Sequence, residues 1–303
     1  MTTTETSAIE TSRTHLHQAC HQAGLDTVYS REAEVIRLGE NALWRLPGGI
    51  VARITRQGQQ RAAAREVDVA RWLAANDVPA VRPFAGLEQP VEAGGRAVTF
   101  WEELPPHRPG TPADLARLLR RLHALPVPHG IDLGRLDPFV RLPDRIREAD
   151  LDDEARAWLL DRLDQLQAAW KALPPGLPEC VVHGDAWGGN VAVLDDGMAL
   201  LLDFERTSVG PPEWDLTSTA ISRGTFSQLG AGDYRAFCDA YGGTDVLDWP
   251  GYPMMRDIRE LRLVCFALQT ALQHPHAREQ ARFRLDCLRG QRGPRPWNWT
   301  AVP

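Results

Sequence analysis

The residues best suited to chemistry stand in one stretch: His183-Gly184-Asp185-Ala186-Trp187-Gly188-Gly189-Asn190, with Asp203-Phe204-Glu205 beginning thirteen residues after Asn190. A carboxylate and an amide oxygen are hard donors. They suit Mg²⁺, which binds through one or two carboxylates and completes its octahedron with water and substrate phosphates. Residues 191–194 and 198–202 are strand-like, with the turn Asp195-Asp196-Gly197 between them. A hairpin of those strands sets Asn190, at the start of one, beside Asp203, at the end of the other. Asp185, on the loop in front, is then a spare carboxylate able to meet a hydroxyl. The plainer alternative is that His183, Asp185 and Asn190 cap a buried turn.

The pattern H-x-D-x-x-x-x-N followed by D-F-x resembles the phosphate-transfer core of the protein-kinase-like superfamily. In detail it is similar to the aminoglycoside phosphotransferase and choline kinase branch, whose loop reads H-G-D-x-x-x-x-N. The resemblance extends over about 35–270. It implies an α+β, two-lobed protein-kinase-like fold: an N-terminal antiparallel sheet plus helix over 1–103 binding nucleotide, and a larger, mostly helical lobe over 104–303 with the catalytic loop and acceptor site. It also implies Asp185 as the catalytic base, Asn190 and Asp203 as Mg²⁺ ligands, and ATP or GTP as co-substrate. His183 becomes structural, and Asp215 either braces the loop or is an ordinary helix N-terminal acid.

The same resemblance assigns parts to the first hundred residues. The turn Gly39-Glu40-Asn41 would bring Gly39 and Asn41 over the triphosphate, Arg53 would hold it, and Glu66 on the next helix would orient Arg53. Trp101, Glu102 and Leu104 would meet adenine, unless that segment is a simple linker. Arg53 and Glu66 could instead be a solvated strand charge and a surface helix residue. Kinases mostly carry lysine where Arg53 stands. Here, of 34 basic residues, only Lys171 is a lysine, and it falls in a later helix. A guanidinium is a planar fork and an ammonium a point charge, so the exchange changes geometry.

About ten residues separate Asp203 from Pro211-Pro212-Glu213, too few for the segment on which a peptide substrate docks. No G-x-x-x-x-G-K-[ST] is present. The expected reaction is therefore phosphoryl transfer to a small hydroxylated acceptor, with an aminoglycoside or another antibiotic suggested by the resemblance. The alternatives are a choline- or homoserine-type metabolite kinase and a non-catalytic nucleotide-binding protein. Acceptor candidates are Glu205, Trp187, Asp257 and Glu260. The last two share a helix face and could equally pair with Arg256 or Arg259. A choline cage would draw on Trp187, Trp297 and Trp299. His15, His17, Cys20 and His21 could gather a metal or be solvated.

The elements that must position these groups follow from pattern. Runs at 35–38, 42–46 and 50–54 read as antiparallel strands, and 59–76 as a helix with Ala63, Val67, Ala70 and Ala74 on one stripe. Two further strands flank Ala93-Gly94-Gly95. Thr111-Pro112 opens a helix striped by Leu115, Leu118, Leu119 and Leu122. More helices are expected at 153–173, 213–223, 232–242, 254–274 and 276–288. Residues 1–14 lack periodicity and are expected to be disordered, with a short helix at 15–24.

The 303 residues are 43% hydrophobic and carry a net charge of −6 without a basic block, which argues against a nucleic-acid partner. No apolar run nears the roughly 18 residues of a membrane span, and five scattered cysteines suit a reducing compartment. A cytoplasmic protein is expected, its oligomeric state left open.

Overall fold

The computed structural model describes residues 3–39 and 41–302, so Glu40 of the expected phosphate-covering turn lies outside the described residues. In chain order the elements are α1 (Thr3–Gln22), α2 (Thr27–Arg31), β1 (Glu34–Leu38), β2 (Ala42–Leu46), β3 (Ile50–Gln57), α3 (Gln60–Ala75), β4 (Val91–Ala93), β5 (Arg96–Glu102), β6 (His107–Pro109), α4 (Pro112–His123), α5 (Leu142–Glu148), α6 (Asp153–Trp170), β7 (Cys180–Val182), β8 (Val191–Leu194), β9 (Ala199–Leu201), β10 (Ser208–Gly210), α7 (Glu213–Gly224), α8 (Ala231–Tyr241), α9 (Tyr252–Gln273) and α10 (Arg278–Leu288). This is the α+β architecture expected, with an antiparallel sheet first and a helical larger part after it.

Contacts divide the chain into two units. The first holds the residues up to 110 together with 125–133 and 188–207; the second holds 111–124, 134–187 and 208 onward. The units interleave, where the sequence suggested a single cut between 103 and 104.

In the first unit a five-stranded sheet runs β1-β2-β3-β5-β4, each neighbouring pair antiparallel. Alternation along β3 decides what faces where. Ile50, Ala52 and Ile54 enter a core with Trp44, Val98 and Phe100 and with Leu16, Ala19 and Cys20 of α1. Arg53, between them, points to the other face. The expectation of disorder over 1–14 is wrong for 3–14, where the chain is helical. Thr and Ser are weak helix formers, but tertiary contacts override that preference. Ser12 accepts a hydrogen bond from Trp44 Nε1 at 2.8 Å, and the Arg13 guanidinium lies 4.7 Å over the Trp44 ring.

A smaller sheet, β6-β8-β9, belongs to the same unit. It is tied to the residues after α3 by Val81 N donating to Leu201 O at 2.9 Å and Leu201 N donating to Pro79 O at 3.0 Å. Those bonds explain why 188–207 group with the early residues.

The second unit is helical, apart from β7 paired antiparallel with β10. Thr111 caps α4 in a capping box with Asp114, and Leu115, Leu118, Leu119 and Leu122 are all buried. Its main core gathers Trp214, Met255, Ile258, Leu261, Val264 and Leu268 with Leu159, Leu163 and Leu166 of α6. All five cysteines are buried free thiols. Among the described residues no helix is long and apolar enough to cross a membrane.

Candidate active site

Arg53 is the hub of the first unit's polar face. From the middle of β3, paired with Leu43 on one side and Thr99 on the other, its Nη1 donates to Glu66 Oε1 of α3 at 2.5 Å. Its Nη2 donates to Glu205 Oε2 at 2.9 Å and stands 3.8 Å from Asp203 Oδ1. One cation therefore faces three carboxylates. Burial, with Asp203 and Glu205 adding to it and Arg53 opposing, pushes the Glu66 carboxyl up to about 7. Burial works against the charge on Arg53, but its carboxylate neighbours outweigh it and raise its pKa.

Asn190 and Asp203 stand at the open end of the β8–β9 hairpin. Val191 pairs with Leu201, and Leu202 N donates to Asn190 O at 3.0 Å. The approach to Asn190 is fixed by a close backbone passage: Gly110 N donates to Gly188 O at 3.1 Å, and a Cβ on Gly188 would lie 2.7 Å from Gly110 O. Asp203 has φ 61°, a left-handed conformation that Asp tolerates better than most residues. Its Oδ1 is buried without a hydrogen-bond partner. A carboxylate oxygen without a hydrogen bond, with an amide residue across the hairpin end, fits Mg²⁺, whose remaining positions go to water and phosphate. Among the described residues no group of three or more His, Cys, Asp or Glu gathers for a metal.

In the second unit the loop before Asp185 is held by a carboxylate. Asp215, fully buried in the first turn of α7, accepts from His183 N at 2.7 Å and Gly184 N at 2.9 Å. Gly184 adopts φ 84°, where a side chain would be strained. Trp214 Nε1 donates to Gly184 O at 2.9 Å. His123 Nε2 lies 3.1 Å from Asp215 Oδ2 and its Nδ1 lies 2.8 Å from the Tyr241 hydroxyl. Because an ionised carboxylate only accepts, Nε2 donates to Asp215. Burial works to raise the Asp215 pKa, yet the hydrogen bond and charge of His123, with His183 and Arg259, hold it below the usual range. His183 is buried, and its Nδ1 accepts from Asp185 N at 3.3 Å.

The remaining expected residues fall as follows. Gly39 is exposed and Asn41 half-buried. Trp101 is buried, pairs with Val51 and donates through Nε1 to Thr99. Glu102 N is taken by Arg82 O at 2.9 Å, and Leu104 follows β5, half-buried. Trp187 is 58% exposed. Of the acceptor acids, Asp257 accepts from Arg162 at 2.7 Å and Arg256 at 2.8 Å. Glu260, fully buried, accepts from Thr225 Oγ1 at 2.6 Å and Arg295 Nε at 2.8 Å. Arg259, weighed as a partner for these acids, instead donates to Trp214 O. Both acids are thus engaged by this chain's own cations, the kind of pairing weighed against an acceptor role for them. Trp297 and Trp299 are buried and stack on each other at 5.4 Å, so they offer no open cage. His17 contacts Ser30 Oγ at 2.9 Å, and burial pushes the Cys20 thiol up to about 11.

Three residues escaped sequence reasoning. Arg65, beside Glu66, donates through Nη2 to Glu205 O at 2.8 Å; His123 and Tyr241 support Asp215. Adjacency to Glu66 was the one available signal for Arg65. Nothing local marks His123 or Tyr241.

A family model described as "Phosphotransferase enzyme family" (APH) matches residues 34–258. A homoserine kinase of Rhodospirillum rubrum is 34% identical over 146 residues, 44% of this chain and 44% of that protein. The match therefore spans less than half of this curated relative. Among solved structures, an amicoumacin kinase in complex with AMP-PNP, Ca²⁺ and Ami has a TM-score of 0.69 at 16% identity, covering 95% of this chain and 96% of that one. A choline/ethanolamine kinase family protein from Mesorhizobium loti reaches 0.62 at 20% identity, covering 93% and 94%. Spectinomycin phosphotransferase in complex with ADP and spectinomycin reaches 0.61 at 14% identity, covering 88% and 91%. At these identities the likeness is one of fold.

Proposed function

We propose that the chain, which belongs to the phosphotransferase enzyme family, transfers the γ-phosphoryl group of ATP or GTP to a hydroxyl of a small molecule. The observation that carries the reading is Asp203 Oδ1, buried without a hydrogen bond and 3.8 Å from Arg53 Nη2, at the hairpin end shared with Asn190. Those two residues would hold Mg²⁺, which supplies positive charge against the phosphate oxygens. Arg53, oriented by Glu66, adds a fixed cation for the phosphates. Asp185 orients the acceptor hydroxyl and takes its proton late, since phosphoryl transfer depends more on positioning and charge than on basicity. Asp215 keeps the loop carrying Asp185 in one conformation through two backbone N–H groups. Gly39 and Asn41 would cover the triphosphate, and Trp101, Glu102 and Leu104 would border the base.

For the acceptor we favour a small amino alcohol of the homoserine type ahead of an aminoglycoside. Two observations support this: the 34% identity to a homoserine kinase over 44% of each chain, and the pairing of Asp257 and Glu260 with arginines, which leaves these two acids less open to a polycationic drug. Exposed Trp187, two residues after Asp185, is the side chain we assign to acceptor contact.

The test is calorimetry of ATP and GTP binding with and without Mg²⁺, wild type against Asp203→Ala, followed by an acceptor screen. Metal-dependent binding that disappears in the variant is expected. Absence of binding to either nucleotide would move the assignment to a non-catalytic protein on the same fold. Turnover of aminoglycosides but not of amino alcohols would reverse the acceptor preference.

A further inference from the structure

The unusual element of this chain is an arginine where a lysine would need only one partner. An ammonium is a rotatable point charge that a single carboxylate can anchor, whereas a guanidinium is a flat fork whose plane stays undefined until two edges are held. Here both edges are held. Glu66 takes Nη1 at 2.5 Å and Glu205 takes Nη2 at 2.9 Å, while the Arg53 side chain is only 12% exposed. The second holder is itself anchored: Arg65 Nη2 donates to the backbone carbonyl of Glu205 at 2.8 Å, and its Nη1 lies 3.4 Å from Leu133 O. Consecutive residues of α3, Arg65 and Glu66, therefore reach the same cation by two routes. One runs directly to its side chain and the other through the segment that carries Asp203.

We propose that Glu205 and Arg65 are positioning residues that fix the plane of the Arg53 guanidinium, so that an arginine can do at this position what a lysine does with Glu66 alone. The inference rests on the phosphotransferase reading for its consequence, tighter nucleotide binding, but not for the clamp itself. It removes Glu205 from the acceptor contacts and makes the D-F-E sequence here a device for Arg53. The opposite account of the same geometry is that Glu205 occupies the edge of Arg53 that phosphate would take, and so competes with nucleotide. The two accounts predict opposite signs.

Two measurements decide. The first needs no nucleotide: ¹⁵N spectra of the arginine side chains, with Arg53 assigned by its loss in Arg53→Lys. A clamped guanidinium rotates slowly and shows separate Nη1 and Nη2 signals. They should merge in Glu205→Ala and persist in Glu205→Gln, whose amide oxygen still accepts from Nη2. The second is calorimetry with Mg²⁺ and ATP or GTP. Loss of a charge-assisted hydrogen bond should weaken binding about tenfold in Glu205→Ala, with most of the affinity restored in Glu205→Gln. In an Arg53→Lys background the same Glu205→Ala change should add less than about twofold, since a lysine does not need the second holder. Should Glu205→Ala fail to fold, Arg65→Ala, which frees the Glu205 carbonyl, is expected to reproduce the merging of signals.

Merged signals in the wild type, or separate signals that survive loss of the Glu205 side chain, overturn the clamp. Binding in folded Glu205→Ala that equals or exceeds wild type overturns its role in nucleotide binding and favours competition. A wild type that shows the clamp but binds neither nucleotide overturns the phosphotransferase reading and leaves the clamp established.

Discussion

Glu66 gives the first unit a titration whose sign follows from its surroundings. Its folded-state pKa, about 7, lies above the ordinary value of 4.5, so the folded chain keeps a proton that the unfolded chain has already released. Stability from this group is present below pH 4.5 and falls as pH rises through about 7. The loss is on the order of 3 kcal/mol for a shift of this size. Urea midpoints of wild type and Glu66→Gln, compared at pH 5 and pH 8 without divalent metal, isolate the effect: wild type should lose ground to the variant at the higher pH. Added Mg²⁺ should shrink the difference, because two of the causes are the negative charges of Asp203 and Glu205. Parallel behaviour of the two proteins would assign the titration elsewhere. The placement of Asn190 and Asp203 at the open end of one hairpin was legible from spacing alone, because consecutive strands carry them. Arg53 and Glu66 needed the resemblance to be joined, since a strand and a helix separate them. That Glu260 pairs with Arg295 was not legible, because Arg295 lies in a tail without periodicity.

At the scale of elements, the start of α7 and the end of α4 form one support. His123 fills its place between buried Asp215 and Tyr241, and its replacement strands a buried carboxylate on its remaining backbone donors. His123→Phe should therefore destabilise by about 1–3 kcal/mol, and Tyr241→Phe by less, since it removes only the outer bond. Chemical denaturation of both variants measures the order; equal costs would place the weight on ring packing instead. The other informative element is α1. Leu16 is fully buried against the sheet, so Leu16→Ala should cost about 2–5 kcal/mol, as for a core leucine. A cost under about 0.5 kcal/mol, typical of surface positions, would mean that the helix is not integral. The strands and long helices could be read from alternation and leucine stripes. The N-terminal half of α1 could not, because its Thr and Ser residues form a helix only once Trp44 and the sheet are there to receive it.

For the molecule as a whole, the interleaving of the two units was the least visible property. The partners of 188–207 are β6 and the residues around Pro79, and neither leaves a mark in the sequence of the hairpin itself. The C-terminal tail is a second case of long-range dependence. Arg284, buried, donates to Leu263 O and Thr300 O and lies 5.2 Å over the Trp299 ring. Arg295 neutralises fully buried Glu260. Removing one member of such a pair leaves a charge in an apolar interior, which costs more than the pair contributes. Arg295→Ala should then destabilise by about 3 kcal/mol. Glu260→Gln introduced into the same background should recover part of that loss, because the amide needs no counter-ion and can still accept from Thr225. Denaturation of the two single variants and the double variant completes the cycle. Recovery in the double variant would identify the stranded charge as the cause. A double variant as unstable as the sum of the singles would show instead that Arg295 acts by packing over Trp297, whose ring it covers at 4.2 Å.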